Sequence, residues 1–322
     1  MNIKEWMQRL DTQVAEVVVG KSAQLRIIAA AILAEGHILL EDLPGVGKTT
    51  LVKSLSKALG CESKRIQFTP DLLPSDVTGM NIFDRQTGGF RRLQGPVMTN
   101  LLLADELNRA IPRTQSALLE AMEEKQVTLD GVTEPLPAPF VVLATQNPVE
   151  TESTFRLPAA QMDRFLVCLS MGYPTPAEEV SMLRITGNAI PYEKIQTVSS
   201  PEELCALQRQ VQQVFVSDEV LAYIVALCEA TRKHPDLRLG ASPRASRALY
   251  RIGKAYAALD GRDYVTPDDV RALARPVICH RLMLAPGALM SGKTTEAVLE
   301  EILTAVPVPP QGEELLAKAS HA

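Results

Sequence analysis

The fold is decided by the stretch His37-Ile38-Leu39-Leu40-Glu41-Asp42-Leu43-Pro44-Gly45-Val46-Gly47-Lys48-Thr49-Thr50. A short apolar run, a glycine-containing loop and a helical pattern follow one another, which is the order of a phosphate-binding loop. Glycines at 45 and 47 let successive backbone N–H groups point inward toward an anion. The Lys48 charge suits the β- and γ-phosphates, and the Thr49 hydroxyl suits Mg²⁺. We therefore predict an ATP and Mg²⁺ site with nucleotide contacts from Pro44, Gly45, Val46, Gly47, Lys48, Thr49 and Thr50.

A second stretch, 287–294, matches the pattern GxxxxGK[ST] letter for letter, whereas the first has Asp42 where that pattern has glycine. We nevertheless reject the second stretch because of its context. Pro286 precedes it, residues 268–284 are expected to form a helix instead of a buried strand, and no apolar strand ending in an acidic residue follows it. The phosphate loop is therefore placed at 44–49.

Short apolar runs typical of buried strands recur through the first half of the chain, at 38–40, 101–104, 140–145 and 165–169, with a mixed run at 65–69. Helical patterns separate them, so we predict an α/β fold with a mostly parallel sheet between helices. Tyr173-Pro174-Thr175-Pro176 marks a boundary, because two prolines cannot lie within one helix or central strand. Beyond it the pattern is helical, with apolar spacing over 245–259 and a capped helix start at Thr266. The predicted domains are 1–173 and 174–322.

The composition excludes several classes of protein. The chain of 322 residues has a net charge of −5, which offers no general electrostatic surface for nucleic acid. Its five cysteines lack zinc-site spacing and are expected to be reduced thiols. The longest apolar stretch, 27–34, is shorter than the ~20 residues that span a bilayer, and the amino terminus lacks a signal-peptide pattern. We therefore expect a cytoplasmic protein with no transmembrane segment and no nucleic acid partner.

Two adjacent carboxylates, Asp105 and Glu106, follow the apolar run 101–104. Taken alone, such a pair could be the start of a solvated loop. After a phosphate loop and a buried strand, it is better explained as a site for metal and water. Asp105 would hold Mg²⁺ through its water shell, and Glu106 would polarise the attacking water. The pair therefore favours hydrolysis of ATP over binding alone.

Three further polar residues stand where they can reach phosphate. Asn147 follows one apolar run, although Asn147-Pro148 could be only a turn. Arg164 precedes the next run and can project toward a neighbouring subunit, although it could be a surface arginine paired with Asp163. Arg244 follows a Ser-Pro helix start, where the helix dipole disfavours a cation unless an anion is bound nearby, although it could be simply solvated.

Together these motifs resemble the MoxR family of AAA+ ATPases over nearly the whole chain. The motifs that carry the resemblance are 39–49, Asp105-Glu106-Leu107-Asn108-Arg109-Ala110, Ala144-Thr145-Gln146-Asn147-Pro148, Gln161-Met162-Asp163-Arg164-Phe165 and Ser242-Pro243-Arg244. The resemblance implies an AAA+ P-loop domain, with a parallel sheet sandwiched by helices, and a smaller all-helical lid. It also implies that nucleotide lies between the two.

The resemblance assigns roles to the residues nearest the nucleotide. Lys48 and Thr49 would form the Walker A site, and Asp105 and Glu106 the Walker B site, with Mg²⁺ held by Thr49 and Asp105. Val19-Gly20 resembles the segment that packs on adenine.

Further roles concern catalysis. Asn147 matches sensor 1, and Arg244 matches sensor 2 on the lid. Arg164 is the best match for an arginine finger that acts in trans, with Arg109 and Arg113 as further candidates. A finger acting in trans requires a ring, which we expect to be a homohexamer.

The resemblance also implies a chaperone-like ATPase that remodels or activates a client protein, for example in metal-cofactor insertion or complex maturation, with a von Willebrand factor A-domain partner. Two alternatives stay open: a nucleotide-gated scaffold with negligible hydrolysis, and a DNA-remodelling ring of the helicase type. Gly88-Gly89 and Asp130-Gly131 predict hairpins at 81–93 and 127–133, the first inside a helix. In related rings such hairpins face the pore, although here they could be surface ribbons without substrate contact.

Overall fold

The computed structural model of the protein describes residues 2–42, 45–85, 88–147, 155, 157–187 and 190–309. Its strands are β1 (Ile38–Glu41), β2 (Ser63–Gln67), β3 (Gly79–Asp84), β4 (Gly89–Gln94), β5 (Leu101–Asp105), β6 (Gln126–Leu129), β7 (Val132–Pro135), β8 (Val141–Gln146), β9 (Val167–Leu169), β10 (Leu237–Leu239) and β11 (Met283–Leu284). Its α-helices are α1 (Ile3–Ala15), α2 (Ser22–Leu33), α3 (Lys48–Ala58), α4 (Pro74–Thr78), α5 (Pro112–Glu124), α6 (Ala159–Met162), α7 (Pro176–Thr186), α8 (Pro201–Val211), α9 (Asp218–Lys233), α10 (Pro243–Leu259), α11 (Pro267–Ile278), α12 (Pro286–Met290) and α13 (Thr295–Ala305). Short 3-10 helices lie at Leu107–Arg109, Tyr192–Lys194 and Cys279–Arg281.

The α/β region is built on a five-stranded parallel sheet in the order β2-β5-β8-β1-β9. All five predicted strands belong to it, so the predicted α/β sandwich is confirmed. Strands β5 and β8 are buried along almost their whole length, which explains their continuous apolar runs. Because the strands are parallel, their carboxyl ends meet at one side of the sheet, the carboxyl edge. Their amino ends meet at the opposite side, the amino edge.

Two hydrophobic cores lie on the two faces of the sheet, so that neighbouring residues of β1 alternate between them, Leu40 in the first core and Leu39 in the second. The first core also contains buried residues of α1, α2 and α3 together with residues of α8, α9, α10, α11 and α13. The helical region is therefore packed onto the α/β region through apolar side chains. The second core lies beneath α5 and includes Phe68 and Phe165.

The helical region follows the sheet and begins with α7. The predicted starts of α10 and α11 are confirmed: Ser242 caps the first, and Thr266 forms a capping box with Asp269 in the second. The helix predicted over 268–284 is wrong at its end. After Ile278 the chain makes a 3-10 turn and then an extended step at Leu282, which lets β11 pair with β10 as a small antiparallel ribbon. The domain boundary at 173 stays a prediction.

Both predicted hairpins are present. β3 pairs with β4, and β6 pairs with β7 through Asp130 and Gly131, whose φ values of 50° and 78° suit a two-residue hairpin turn. The first hairpin was predicted inside a helix. It does follow the short helix α4, but residues 95–100 after it are not helical, so no helix continues beyond it. The two hairpins contact each other, because Asn81 Nδ2 donates to Asp130 Oδ2 at 2.7 Å.

The cysteines agree with the expectation from composition. All five cysteines are free thiols, and burial raises the pKa of Cys61 to about 12, which makes this thiol unreactive near neutral pH. Among the residues that the structure describes, no helix is both long and apolar enough to cross a membrane.

Candidate functional site

The predicted phosphate loop lies at the carboxyl edge, directly after β1. Gly45 and Gly47 have φ values of 88° and 84°, and a Cβ added at either would meet nothing within 4 Å. Glycine is therefore required here for its backbone conformation and not to avoid a clash. Val46 is partly buried against the first core, and Pro44 lies outside the described residues.

The helix after the loop begins at Lys48, so Lys48, Thr49 and Thr50 form its first turn. The backbone N–H groups of a first helical turn have no partner within the helix, and they bind anions readily. Lys48 Nζ donates to the carbonyl oxygen of Asp42 at 3.3 Å, which keeps the ammonium group beside the loop. These donors and the Thr49 hydroxyl fit a polyphosphate with bound Mg²⁺.

Asp42, the residue that departs from the glycine pattern, has a structural role. Its buried carboxylate accepts hydrogen bonds from Ser170 Oγ, Met171 N and Gly172 N at 2.7, 2.7 and 3.1 Å. These three residues follow β9, so Asp42 ties the start of the phosphate loop to the chain that leads into α7. A glycine at position 42 could not make these bonds.

The segment predicted to pack on adenine also reaches this part of the molecule. Gly20 has φ of 72°, and a Cβ added there would come within 1.9 Å of Glu178 Oε1 at the start of α7. Lys21 Nζ donates to the carbonyl oxygen of Tyr173 at 3.4 Å. Val19 and Gly20 therefore lie beside the chain that Asp42 holds.

The two predicted carboxylates lie at the carboxyl edge, at the end of β5. Asp105 is the last residue of the strand, and Glu106 follows with the left-handed φ of 56°. Thr145 on the adjacent β8 connects them, because its Oγ1 donates to Asp105 Oδ1 at 2.7 Å and accepts from Glu106 N at 2.9 Å. One side chain thereby holds the Asp105 carboxylate and the backbone of Glu106.

Each carboxylate also has partners that the sequence did not identify. Arg65 Nη2 donates to Asp105 Oδ2 at 2.6 Å, and Gln67 Nε2 donates to Glu106 Oε2 at 2.7 Å. Arg109 Nε lies 3.0 Å from Glu106 Oε2. Arg65 and Gln67 belong to β2, the neighbour of β5, and the mixed polar run in that strand was the signal that could have located them.

Asn147 follows β8, which lies between β1 and β5 in the sheet. It is buried, and its carbonyl oxygen accepts from Asn108 Nδ2 at 3.5 Å. The strand order therefore brings Asn147 between the phosphate loop and the carboxylates.

The two predicted arginines lie elsewhere. Arg164 Nε and Arg244 Nη2 lie 3.0 and 2.8 Å from the two carboxylate oxygens of Glu123 on α5. All three residues line a cavity of about 510 Å³ that also involves Gly36 and His37, the residues before β1. This cavity is therefore at the amino edge.

Arg244 therefore lies at the opposite edge of the sheet from the phosphate loop of its own chain. β1 has four residues, and at roughly 3.3 Å per residue it separates the amino edge from Lys48 by about 10 Å or more. The alternative that Arg164 pairs with Asp163 is wrong. Asp163 pairs with Arg281 at 2.7 Å, and Arg164 pairs with Glu123. Arg164 and Arg244 are brought together, but away from the phosphate loop.

The amino-edge cavity has an excess of positive charge. Three of its cations have their own partners: Lys125 pairs with Glu35, Arg281 pairs with Asp163, and Arg251 donates to backbone carbonyls at the end of α2. Arg247 has no hydrogen bond or ion pair to another residue that the structure describes, and burial together with the charge of Arg247 lowers the pKa of Arg251. Glu123 thus contacts both Arg164 and Arg244, while Arg247 adds a further positive charge, and this excess favours an anionic ligand.

The remaining candidates are less well placed. Arg109 contacts Glu106 at the carboxyl edge, and Arg113 is exposed at the start of α5. The rejected stretch 287–294 covers most of α12 and the turn before α13. Lys293 Nζ donates to Asp236 Oδ2 at 2.6 Å and to Glu301 Oε1 at 3.1 Å. Its lysine is thus part of an ion-pair cluster in the helical region.

The sheet, the two edges and the helical lid define the class of the protein as an AAA+ P-loop fold. Residues 37–167 match the family described as ATPase family associated with various cellular activities (AAA), and residues 229–302 match the AAA lid domain. A crystal structure from Cytophaga hutchinsonii, solved as a candidate ATPase, is 38% identical with a TM-score of 0.90, and the match covers 96% of each chain.

Two curated relatives place the chain within this class. The protein YeaC of Bacillus subtilis is 52% identical over 92% of each chain. The chaperone MoxR1 of Mycobacterium tuberculosis is 39% identical over 94% of this chain and 82% of its own length. The chain belongs to the MoxR family of AAA+ ATPases.

Proposed function

We propose that this protein hydrolyses ATP in a ring, with Mg²⁺ and nucleotide bound at the carboxyl edge of each subunit and the amino edge facing the nucleotide of the neighbour. One observation carries the proposal: Arg164 and Arg244 both contact Glu123 at the amino edge, whereas Lys48 lies at the carboxyl edge. Within one chain they are too far from the phosphate loop to contact its nucleotide. A second copy of the chain supplies the missing contact.

At the carboxyl edge, Lys48 and the first turn of α3 bind the phosphates, and Thr49 and Asp105 hold Mg²⁺, which neutralises phosphate charge when it is bound. Glu106 orients and deprotonates the attacking water, and Asn147 lies where its amide can contact that water and the terminal phosphate. Val19 and Gly20 form one side of the pocket for the base.

At the amino edge, Arg164 and Arg244 both stabilise the charge on the neighbour's phosphates in the transition state. Arg244 therefore acts in trans, together with the finger, instead of from the lid of its own subunit. Arg109 and Arg113 are weaker candidates, because neither lines the amino-edge cavity and Arg109 is paired with Glu106.

The work of the ring is the remodelling or activation of a client protein in the cytoplasm, for example in metal-cofactor insertion or complex maturation, with a von Willebrand factor A-domain partner and a hexameric assembly. The two contacting hairpins are suited to the client. Phe83 and Phe90 stack edge to face with ring centroids 5.5 Å apart, yet they are 57% and 78% exposed, which is typical of an interaction surface.

A mixing experiment tests the proposal. Arg164→Ala and Glu106→Gln should each reduce phosphate release by about a hundredfold or more when assayed alone. Mixed rings should regain activity, because an Arg164→Ala subunit has intact carboxylates and its Glu106→Gln neighbour has the arginine. Absence of any gain would overturn action in trans. Failure of the wild type to release phosphate would favour the scaffold, and stimulation by DNA would favour the helicase-type ring.

A further inference from the structure

Glu123 connects two parts of the molecule that the proposed function uses together. It stands near the end of α5 in the α/β region, and its two oxygens contact Arg164 before β9 and Arg244 on the lid helix α10. Both arginines that the proposed function places against the neighbour's nucleotide therefore contact the same carboxylate.

The geometry of this cluster differs from that of an ordinary surface ion pair. The side chains of Arg164 and Glu123 are only 29% and 40% exposed, and the Nε atom of Arg164 is buried without a well-directed hydrogen bond despite its 3.0 Å distance to Glu123. The contact between Arg164 and Glu123 is thus mainly one of opposite charges instead of a directed hydrogen bond. The neighbouring Arg247 adds a third positive charge without a further carboxylate.

The helix start below Arg244 is also fixed from the α/β region. Ser242 Oγ accepts from Arg244 N at 3.1 Å and donates to Asp163 Oδ2 at 2.8 Å. The backbone of Arg244 is therefore positioned through Asp163, whereas the direction of its guanidinium group is set by Glu123. Removing Glu123 should leave the lid in place and free the two side chains.

We propose that Glu123 is a positioning residue, which holds the guanidinium groups of Arg164 and Arg244 side by side so that they meet the phosphates of a neighbouring subunit's nucleotide together. This inference rests on the proposed function. Two guanidinium groups that contact one carboxylate repel each other. The negative charge of Glu123 is the counterion that lets them stay adjacent before a phosphate binds. Without the Glu123 carboxylate, each arginine must be reoriented toward the phosphates at every turnover, which slows the reaction.

The test is a double-mutant cycle on full-length protein, with Glu124→Gln as the matched control. Glu124 is the adjacent exposed carboxylate and does not line the cavity. Glu123→Gln should lower kcat by about tenfold or more while the Kd for ATP stays unchanged, because the phosphate loop of the same chain is untouched. In the Arg164→Ala, Arg244→Ala background it should have no further effect, since Glu123 acts only through these arginines.

Three results would overturn the inference: full activity of Glu123→Gln, an equal loss in Glu124→Gln, or an undiminished effect in the background without the arginines. If Glu123→Gln does not fold, Glu123→Asp replaces it. This variant keeps the negative charge but moves it away from the two arginines, because the side chain is one methylene shorter. It should again lower kcat in the wild-type background and have no effect in the background without the arginines. Wild-type phosphate release is measured in parallel. If it is absent, the proposed function fails; if it is present and the cycle is additive, only the role of Glu123 fails.

Discussion

Arg65 makes a two-point contact with Asp105, in which its Nη2 and Nε atoms lie 2.6 and 3.2 Å from the same oxygen, Oδ2. Asp105 is the carboxylate that we assign to Mg²⁺. A metal ion and the guanidinium group would compete for its negative charge, so binding of Mg²⁺ must weaken or displace this pair.

We expect Arg65→Ala to lower the Mg²⁺ concentration that gives half-maximal phosphate release by about two- to fivefold, because a half-exposed ion pair contributes only up to about 1 kcal/mol. The measurement is a Mg²⁺ titration at saturating ATP. Arg238→Ala, which alters an exposed arginine on β10, should not change the titration. An unchanged or higher Mg²⁺ requirement in Arg65→Ala would show that the pair does not compete with the metal.

The two lysines of the two GKT sequences should behave in opposite ways. Lys48→Ala should abolish ATP binding, because the phosphates lose the ammonium group at the helix start. Lys293→Ala should leave ATP affinity unchanged, because Lys293 pairs with Asp236 and Glu301 in the helical region. Isothermal titration with a non-hydrolysable ATP analogue distinguishes them, and normal affinity in Lys48→Ala would refute the site assignment.

Asp42→Asn should destabilise the protein by about 2 to 4 kcal/mol, because the buried carboxylate accepts three hydrogen bonds and the amide group cannot replace them all. Chemical denaturation measures the free energy of unfolding. Asp263→Asn, at an exposed position, is the control and should change stability by less than about 0.5 kcal/mol. Equal stability of the two variants would contradict the role given to Asp42.

His37 should make stability depend on pH. Its Nδ1 accepts from Val142 N at 3.1 Å and its Nε2 lies 3.1 Å from the carbonyl oxygen of Met122, so the folded protein holds the neutral ring. Burial lowers the pKa of His37 from 6.5 to about 4. Between pH 6.5 and pH 4 the unfolded chain therefore binds a proton at His37 that the folded protein does not bind. The free energy of unfolding should fall by up to about 3 kcal/mol as the pH drops from 6.5 to 4.

Replacement of His37 by Gln should reduce this slope, whatever its effect at neutral pH. It should not remove the slope completely, because burial also lowers the pKa of His280 and acts in the same direction. The measurement is the free energy of unfolding at several pH values. An identical slope in wild type and His37→Gln would mean that His37 does not titrate on unfolding in this range.

Much of the fold was predictable because it depends on local patterns. Apolar runs identified all five sheet strands, and cap residues such as Ser242 and Thr266 identified helix starts, since each signal acts within one turn or one strand. The end of α11 was not predictable in this way. Leu282 to Leu284 leave the helix because β10, more than 40 residues earlier in the chain, offers a strand to pair with.

The sequence by itself determined the chemistry of the carboxyl edge. A glycine loop before a helix, and acidic or amide residues after buried strands, must meet at one edge once the strands are parallel. Lys48, Asp105, Glu106 and Asn147 could therefore be predicted from the sequence alone. Only the tertiary structure decided where the arginines lie. Arg164, Arg244 and Glu123 come from distant parts of the chain, and no local pattern records that α5, β9 and α10 meet at the amino edge. Their distance from Lys48 follows from how these three elements pack around the sheet.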